Sequence, residues 1–287
     1  MNFWQKPVET LRELMQRKAP HLRQVRHFAS AALEREVDID LYLPPDYHLS
    51  GSRYYPLLIV NDGQDLPRMH FSSILERMFF RKQIPPLIVA GVHASAARMH
   101  EYGTMRQADY KGRGERAPLY GNFILEELLP MLHRRFRISG LREETAFAGF
   151  SLGGLSALDM VWAYPQIFGA AGVFSGSLWW RWSPVDPADP DADRIMHDII
   201  RATANVDSAQ RFWFQCGTLD EDEDRNGNGV IDSIDDTLDL IAALKDKGFH
   251  EKHIRYLEIE GGLHTPDTWG KAMPDFLRWW LVPEWGD

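Results

Sequence analysis

The sequence predicts an α/β protein, with a mostly parallel central sheet covered by helices on both faces. Short apolar runs alternate along the chain with segments of helical periodicity, and most of those runs are apolar at every position instead of every second one. A strand apolar on both sides must be buried on both sides, which requires helices over each face of the sheet. The length of 287 residues, with 44% apolar and 12% aromatic residues, suits one large core, so the chain reads as a single domain over 1–287.

The elements follow in order. Residues 8–19 have a helix-like pattern. EREVDIDLYLP (34–44) alternates with period two and suits an antiparallel edge strand, whereas PLLIVND (56–62) and PLIVAGV (86–92) are continuous apolar runs expected inside the sheet. A helical stretch at 118–135 precedes the strand TAFAGF (145–150), and a second, 152–163, follows it. GAAGVFSG (169–176) is the next strand; SPVDPADPDAD (183–193), rich in proline and aspartate, reads as an excursion over the surface. RFWFQCG (211–217), a helix at 235–247, HIRYLEIE (253–260) and a closing helix at 269–281 complete the alternation. In such a sheet the chemistry gathers in loops at the carboxyl ends of the strands.

Composition narrows the function. No apolar run approaches the roughly 20 residues of a membrane span, and the first twenty residues are too charged for a signal peptide. Cys216 is the single cysteine, so no intrachain disulfide forms, and the expectation is a soluble cytoplasmic protein. A net charge of −9 argues against a nucleic-acid partner, which calls for a basic face. Nine carboxylates against one arginine fall within 220–239, leaving the rest of the chain close to neutral.

The sharpest motif is Gly149-Phe150-Ser151-Leu152-Gly153, lying between the strand 145–150 and the helix 152–163. A serine on a sharp strand-to-helix turn projects its hydroxyl above the sheet at the positive end of a helix, and Gly149, Gly153 and Gly154 leave room for the turn. Serine is a weak nucleophile at neutral pH and needs a histidine base oriented by a carboxylate. His264, in the glycine-flanked loop EGGLHTPDTW after the last strand, supplies the base; His93 and His100 precede the serine and are left a supporting role at most. The acid is expected just beyond RFWFQCG, where Asp220 comes first, with Glu221 and Asp222 as alternatives. An oxyanion hole needs two backbone N–H groups: Leu152, after the nucleophile, offers one, and Gly63 or Gln64 in the turn Asn61-Asp62-Gly63-Gln64 offers the other.

With IVNDGQ, GNFILEELLPMLHRRF, AGFSLGGLSAL, YPQIFGAAGVFSGSLWW, CGTLD and GGLHTPDTW in place, the chain resembles the enterochelin-esterase-like esterases, relatives of the feruloyl and acetylxylan esterases and of esterase D. The resemblance runs over most of the chain. It implies the α/β-hydrolase fold, a triad of Ser151, Asp220 and His264, and an acyl-enzyme mechanism on small-molecule esters of catechol, phenolic or acetyl acids without an organic cofactor. Acyl transfer to another acceptor uses the same groups. Arg98, Glu101 and Tyr102 match an R-x-x-E-Y segment of the family and receive no role from the sequence. Trp179, Trp180 and Trp182 follow the strand 169–176; they read either as an aromatic platform for the substrate, Trp179 and Trp180 above all, or as core.

One motif departs from that family. Asp224, Asn226, Asn228, Gly229, Ile231, Asp232 and Asp235 occupy positions 1, 3, 5, 6, 8, 9 and 12 of a twelve-residue calcium loop, with the Val230 carbonyl at position 7. The order resembles the calcium loops of dockerin modules. A strand leads in and a helix leads out, so the expectation is a structural Ca²⁺ site in an insertion at 221–235, grafted onto the hydrolase body. A solvated acidic turn is the alternative, and a calcium-dependent interaction protein without activity is the competing functional class.

Overall fold

The computed structural model describes residues 19–49 and 51–282; the helix-like pattern at 8–18 lies outside them. Eight strands form one sheet: β1 (His21–Ser30), β2 (Arg35–Leu43), β3 (Leu57–Asn61), β4 (Ile88–Val92), β5 (Thr145–Phe150), β6 (Ala170–Phe174), β7 (Arg211–Leu219) and β8 (Ile254–Leu263), in the spatial order β1-β2-β4-β3-β5-β6-β7-β8. β1 and β2 are antiparallel to each other and β2 to β4, and every other pairing is parallel.

The apolar runs explain the layers. β3, β4, β5 and β6 are buried at every position, and alternate side chains go to opposite faces. Leu57 and Ile59 of β3, Phe147 of β5 and Val173 of β6 join one cluster; Leu58, Val60, Ala148 and Phe174 join the other. The first cluster is covered by α3 (Ala117–Asn122) and α4 (Leu129–Arg135), joined through a π-helical stretch at Phe123–Leu128, and by α5 (Leu152–Ala163), α6 (Ile195–Ala202) and α7 (Asp232–Asp246). The second is covered by α1 (Phe71–Phe80) and α8 (Pro266–Leu281). A one-turn helix, α2 (Arg98–Glu101), follows β4.

One sequence expectation is corrected. EREVDIDLYLP is not the edge: it is β2, paired on both sides, and the edge strand is β1, which the sequence reading missed. β1 is exposed along most of its length and broken by a bulge between Val25 and Phe28, so its residues carry neither an apolar run nor a clean alternation. The segment 183–193 runs over the surface as expected, with residues 184–189 exposed. Among the described residues no helix is long and apolar enough to cross a membrane.

Candidate active site

Parallel register brings the site together. Leu219 of β7 pairs with Leu263 of β8, so the next residue on each strand, Asp220 and His264, leaves the sheet side by side. Phe150 pairs with Phe174, which likewise sets Ser151 beside Ser175. These are carboxyl ends of adjacent parallel strands, where such sheets carry their sites.

Ser151 occupies the turn between β5 and α5 at φ 55°, ψ −125°, a conformation that costs an ordinary L-residue energy and persists only where the surroundings enforce it. The enforcement is visible. The Ser151 amide donates to Phe174 O at 2.9 Å, and its carbonyl accepts from Gly154 and Ser177 at 3.0 and 3.1 Å. A Cβ on Gly149 would lie 2.2 Å from Gly153 O, so only glycine lets the strand and helix approach this closely. The Ser151 hydroxyl is 3.4 Å from Ser177 Oγ, and no hydrogen bond joins it to His264.

His264 Nδ1 lies 3.9 Å from Asp220 Oδ1, and Asp220 Oδ2 accepts from the Gly217 amide at 2.9 Å. Of the three carboxylates considered for the acid, Asp220 is the one set beside the histidine: Glu221 turns to the Ser233 amide and Asp222 is exposed. Burial raises the Asp220 carboxyl, opposed by the Gly217 amide, the Ser175 hydroxyl and His264. Burial lowers the His264 imidazole; Asp220 pulls it back up and Arg98 adds to the lowering. The histidine is therefore kept neutral at neutral pH, as a base must be. Its ring meets the edge of Trp269 at 5.4 Å, and Trp269 stacks on Phe150 at 4.9 Å, so a single indole links the histidine to the strand end that carries the serine. Trp269 Nε1 also donates to Ser175 Oγ at 3.0 Å. His93 and His100 are bound elsewhere, to Asp40 and Glu115.

Leu152 opens α5, and Gly63 and Gln64 open a 3-10 turn over Gly63–Asp65; the first amides of a helical turn have no partner within it. A Cβ on Gly63 would fall 2.3 Å from the Gly91 carbonyl carbon. Arg98 and Tyr102, without a role in the sequence pattern, hold this turn. Arg98 donates to both carboxylate oxygens of Asp62, at 2.7 and 2.8 Å, and to Phe150 O at 3.3 Å. The Asp62 amide donates to Tyr102 Oη at 3.3 Å, and Asn61 Nδ2 to Gly153 O at 2.8 Å. The segment Arg98 to Tyr102 was noticed in the sequence, but its partners, some forty residues upstream, are set only by the fold.

Trp180 is corrected: it is 0% exposed, packed against the backbone of Gly103 and Gly114, and belongs to the core, not to a substrate platform. Trp179 is half-buried under the Arg113 guanidinium, 5.2 Å from its ring centroid. In the acidic segment, Asp224 accepts from the amides of Gly227, Asn228 and Gly229 at 2.8, 3.1 and 2.9 Å. Asn226 and Asn228 meet Asp235 Oδ2 at 3.2 and 2.6 Å. The Val230 amide caps Asn228 Oδ1. Asp232 departs from the expected position-nine role, its Oδ1 accepting from the Arg225 amide at 2.9 Å. Among the described residues no three His, Cys, Asp or Glu side chains converge as a metal cluster.

A strained serine elbow at the end of a central parallel strand, with a carboxylate and a histidine following in chain order at adjacent strand ends, defines a serine hydrolase of the α/β-hydrolase type. Residues 30–280 match the family model described as "Esterase: Putative esterase". The chain belongs to this esterase family and is a serine hydrolase of carboxylic esters. Among similar proteins, "Uncharacterized protein YbbA" of Bacillus subtilis is 24% identical over 246 residues, 83% of this chain and 90% of that one. Iron(III) enterobactin esterase of Escherichia coli is 30% identical over 129 residues, 44% of this chain but 29% of that protein. Among solved structures, a ferulic acid esterase superposes with a TM-score of 0.71 at 18% identity over 93% of this chain and 99% of that one. The enterobactin esterase of Shigella flexneri superposes with 0.71 at 20% identity, over 93% of this chain and 61% of that one.

Proposed function

We propose that Ser151 attacks the carbonyl of a small carboxylic ester, that His264 takes its proton and returns it to the leaving alcohol, and that Asp220 orients the imidazole. An acyl-enzyme forms on Ser151 and water, activated by the same histidine, releases the acid. The observation that carries this reading is the register of Leu219 with Leu263, which supports Asp220 as the partner of His264. The Leu152 amide with that of Gly63 or Gln64 receives the developing oxyanion. The test is hydrolysis of a para-nitrophenyl ester together with mass spectrometry after an aryl phosphonate. Wild type gains one phosphonyl group on Ser151, and Ser151→Ala neither labels nor turns over. Labelling elsewhere, or turnover by Ser151→Ala, rejects the assignment.

The loop 224–235 is read as a structural Ca²⁺ site. Its twelve-residue spacing supports this, as does the convergence of Asn226, Asn228 and Asp235 on one point. The Asp224, Asn226, Asn228 and Asp235 side chains and the Val230 carbonyl would be the donors, with Asp232 sharing itself with Arg225. Asp220 precedes Asp224 by four residues, so ordering this loop also steadies the triad acid. Calcium should raise Tm by several degrees through binding the folded state, and a chelator should reverse the rise. Asp224→Ala should remove the response, and magnesium should substitute poorly because it prefers a tight octahedron with retained waters. A Tm indifferent to calcium and chelator in the wild type rejects the site.

A further inference from the structure

A cleft of about 400 Å³ opens between Tyr110 to Arg113, the turn after β6 and the segment after β7. Its wall includes Trp179, two residues past the Ser177 beside Ser151, and Glu221, the residue after Asp220, so two of its lining residues come from segments that also carry the site.

The wall also holds an electrostatic anomaly. Two arginines are fully buried among the described residues. Arg194 pairs with Asp236 at 2.6 Å and Asp239 at 2.5 Å. Arg181, 4% exposed, makes no ion pair with a carboxylate among the described residues, Asp236 and Asp191 acting on it only from a distance against Arg225 and Arg194: its Nη1 donates to Ala192 O and its Nη2 has no hydrogen-bond partner. A buried guanidinium without a counter-ion is costly, and proteins pair such charges or bring a ligand to them. Arg225, in the same wall, is paired through Nη1 with Asp232 at 3.2 Å and through Nη2 with Asp191 and Asp236.

We infer that this cleft is a subsite for a carboxylate carried by the ester substrate, with Arg181 as its counter-ion and Trp179 flanking the atoms that join the carboxylate to the ester. The inference rests on the esterase reading above. The lining carboxylates do not fill the role. Asp232 is occupied by Arg225, Glu223 is exposed at the rim, and Glu221, pushed up to about 7 by burial, carries only part of a charge at neutral pH. Lys111 adds positive charge to the wall, whereas Arg113 is paired with Asp109. A carboxylate fits better than a bare cation or an apolar group, because the donors are charged, preorganised and already desolvated.

The experiment compares matched esters on the full-length protein. On the acyl side, para-nitrophenyl hydrogen glutarate is set against para-nitrophenyl valerate; on the alcohol side, para-acetoxybenzoate is set against its methyl ester. In at least one pair the carboxylate ester should have about tenfold higher kcat/KM, the size a charge-assisted hydrogen bond supports, and the advantage should shrink as ionic strength rises. Arg181→Met should bring the ratio within the pair close to one whatever happens to the absolute rate. The salt dependence of the wild type decides the matter if that variant fails to fold. Hydrolysis of the neutral esters with no preference in either pair overturns the subsite and leaves the esterase reading standing. No hydrolysis of any of the four, with Ser151 unlabelled by phosphonate, overturns both.

Discussion

On the proposed mechanism Ser151 and His264 act in one step, so their removal should not be additive. Ser151→Ala and His264→Ala should each lower kcat by about ten-thousandfold, and the double variant by little more; losses that multiply would show that the two side chains serve separate steps. A subtler residue is Trp269. Its N–H donates to Ser175 Oγ, whose hydroxyl helps hold the Asp220 carboxyl down, and the same ring braces His264. Trp269→Phe keeps the stack on Phe150 and loses the N–H. With its carboxylate less well solvated, the Asp220 and His264 pair binds a proton more tightly. The acid limb of the kcat/KM profile should move to higher pH and kcat should fall about threefold to tenfold, with KM little changed. An unmoved acid limb would show that Trp269 serves packing alone.

At the scale of elements, the oxyanion turn depends on how closely β3 and β4 approach. Gly63 has no room for a methyl group beside Gly91, so Gly63→Ala must displace the turn. It should lower kcat by about a hundredfold, the value of an oxyanion donor, while leaving KM nearly unchanged; a change confined to KM would remove the turn from transition-state stabilisation. Sequence reading located this turn and the elbow because each follows an apolar strand and contains glycine. It found β3 to β7 for the same reason, apolar burial being a local signal. β1 escaped because an exposed edge carries no such pattern. Trp180 was read as a platform or as core because a tryptophan is apolar enough for either, and only the packing against Gly103 and Gly114 decides.

Across the whole molecule, stability should depend on pH through groups remote from the triad. His197 is fully buried, with Nε2 on Asp236 O at 2.8 Å and Nδ1 without a partner. Burial, with Arg194 nearby, lowers its pKa well below the ordinary value. Between about 6.5, the value in an unfolded chain, and the depressed folded value, the unfolded chain binds a proton that the folded chain does not. Stability is therefore lost as pH falls through that window. Asp159, pushed up to about 6 by burial, acts with the opposite sign, stabilising the fold at low pH and losing that contribution as pH rises. The melting temperature should fall on acidification from neutral pH, His197→Gln should flatten the fall, and Asp159→Asn should steepen it. A fall unaltered by His197→Gln would place the acid sensitivity elsewhere.

Local chemistry made much of this protein legible from its residues alone: the layered α/β fold, the sharp strand-to-helix turn at Ser151, the chain order of Ser151, Asp220 and His264, and the twelve-residue spacing of oxygen donors. Each is written in neighbouring residues, because strand burial, tight turns and loop ligation are short-range constraints. The tertiary structure decided which groups meet. It put Asp220, and not Glu221 or Asp222, beside His264 through the β7 and β8 register. It tied Arg98 to Asp62, hung Ser175 on Trp269, and left Arg181 buried without a counter-ion in the wall of a cleft. Those contacts join residues tens of positions apart, and their partners are chosen by strand order and packing, which no local pattern encodes.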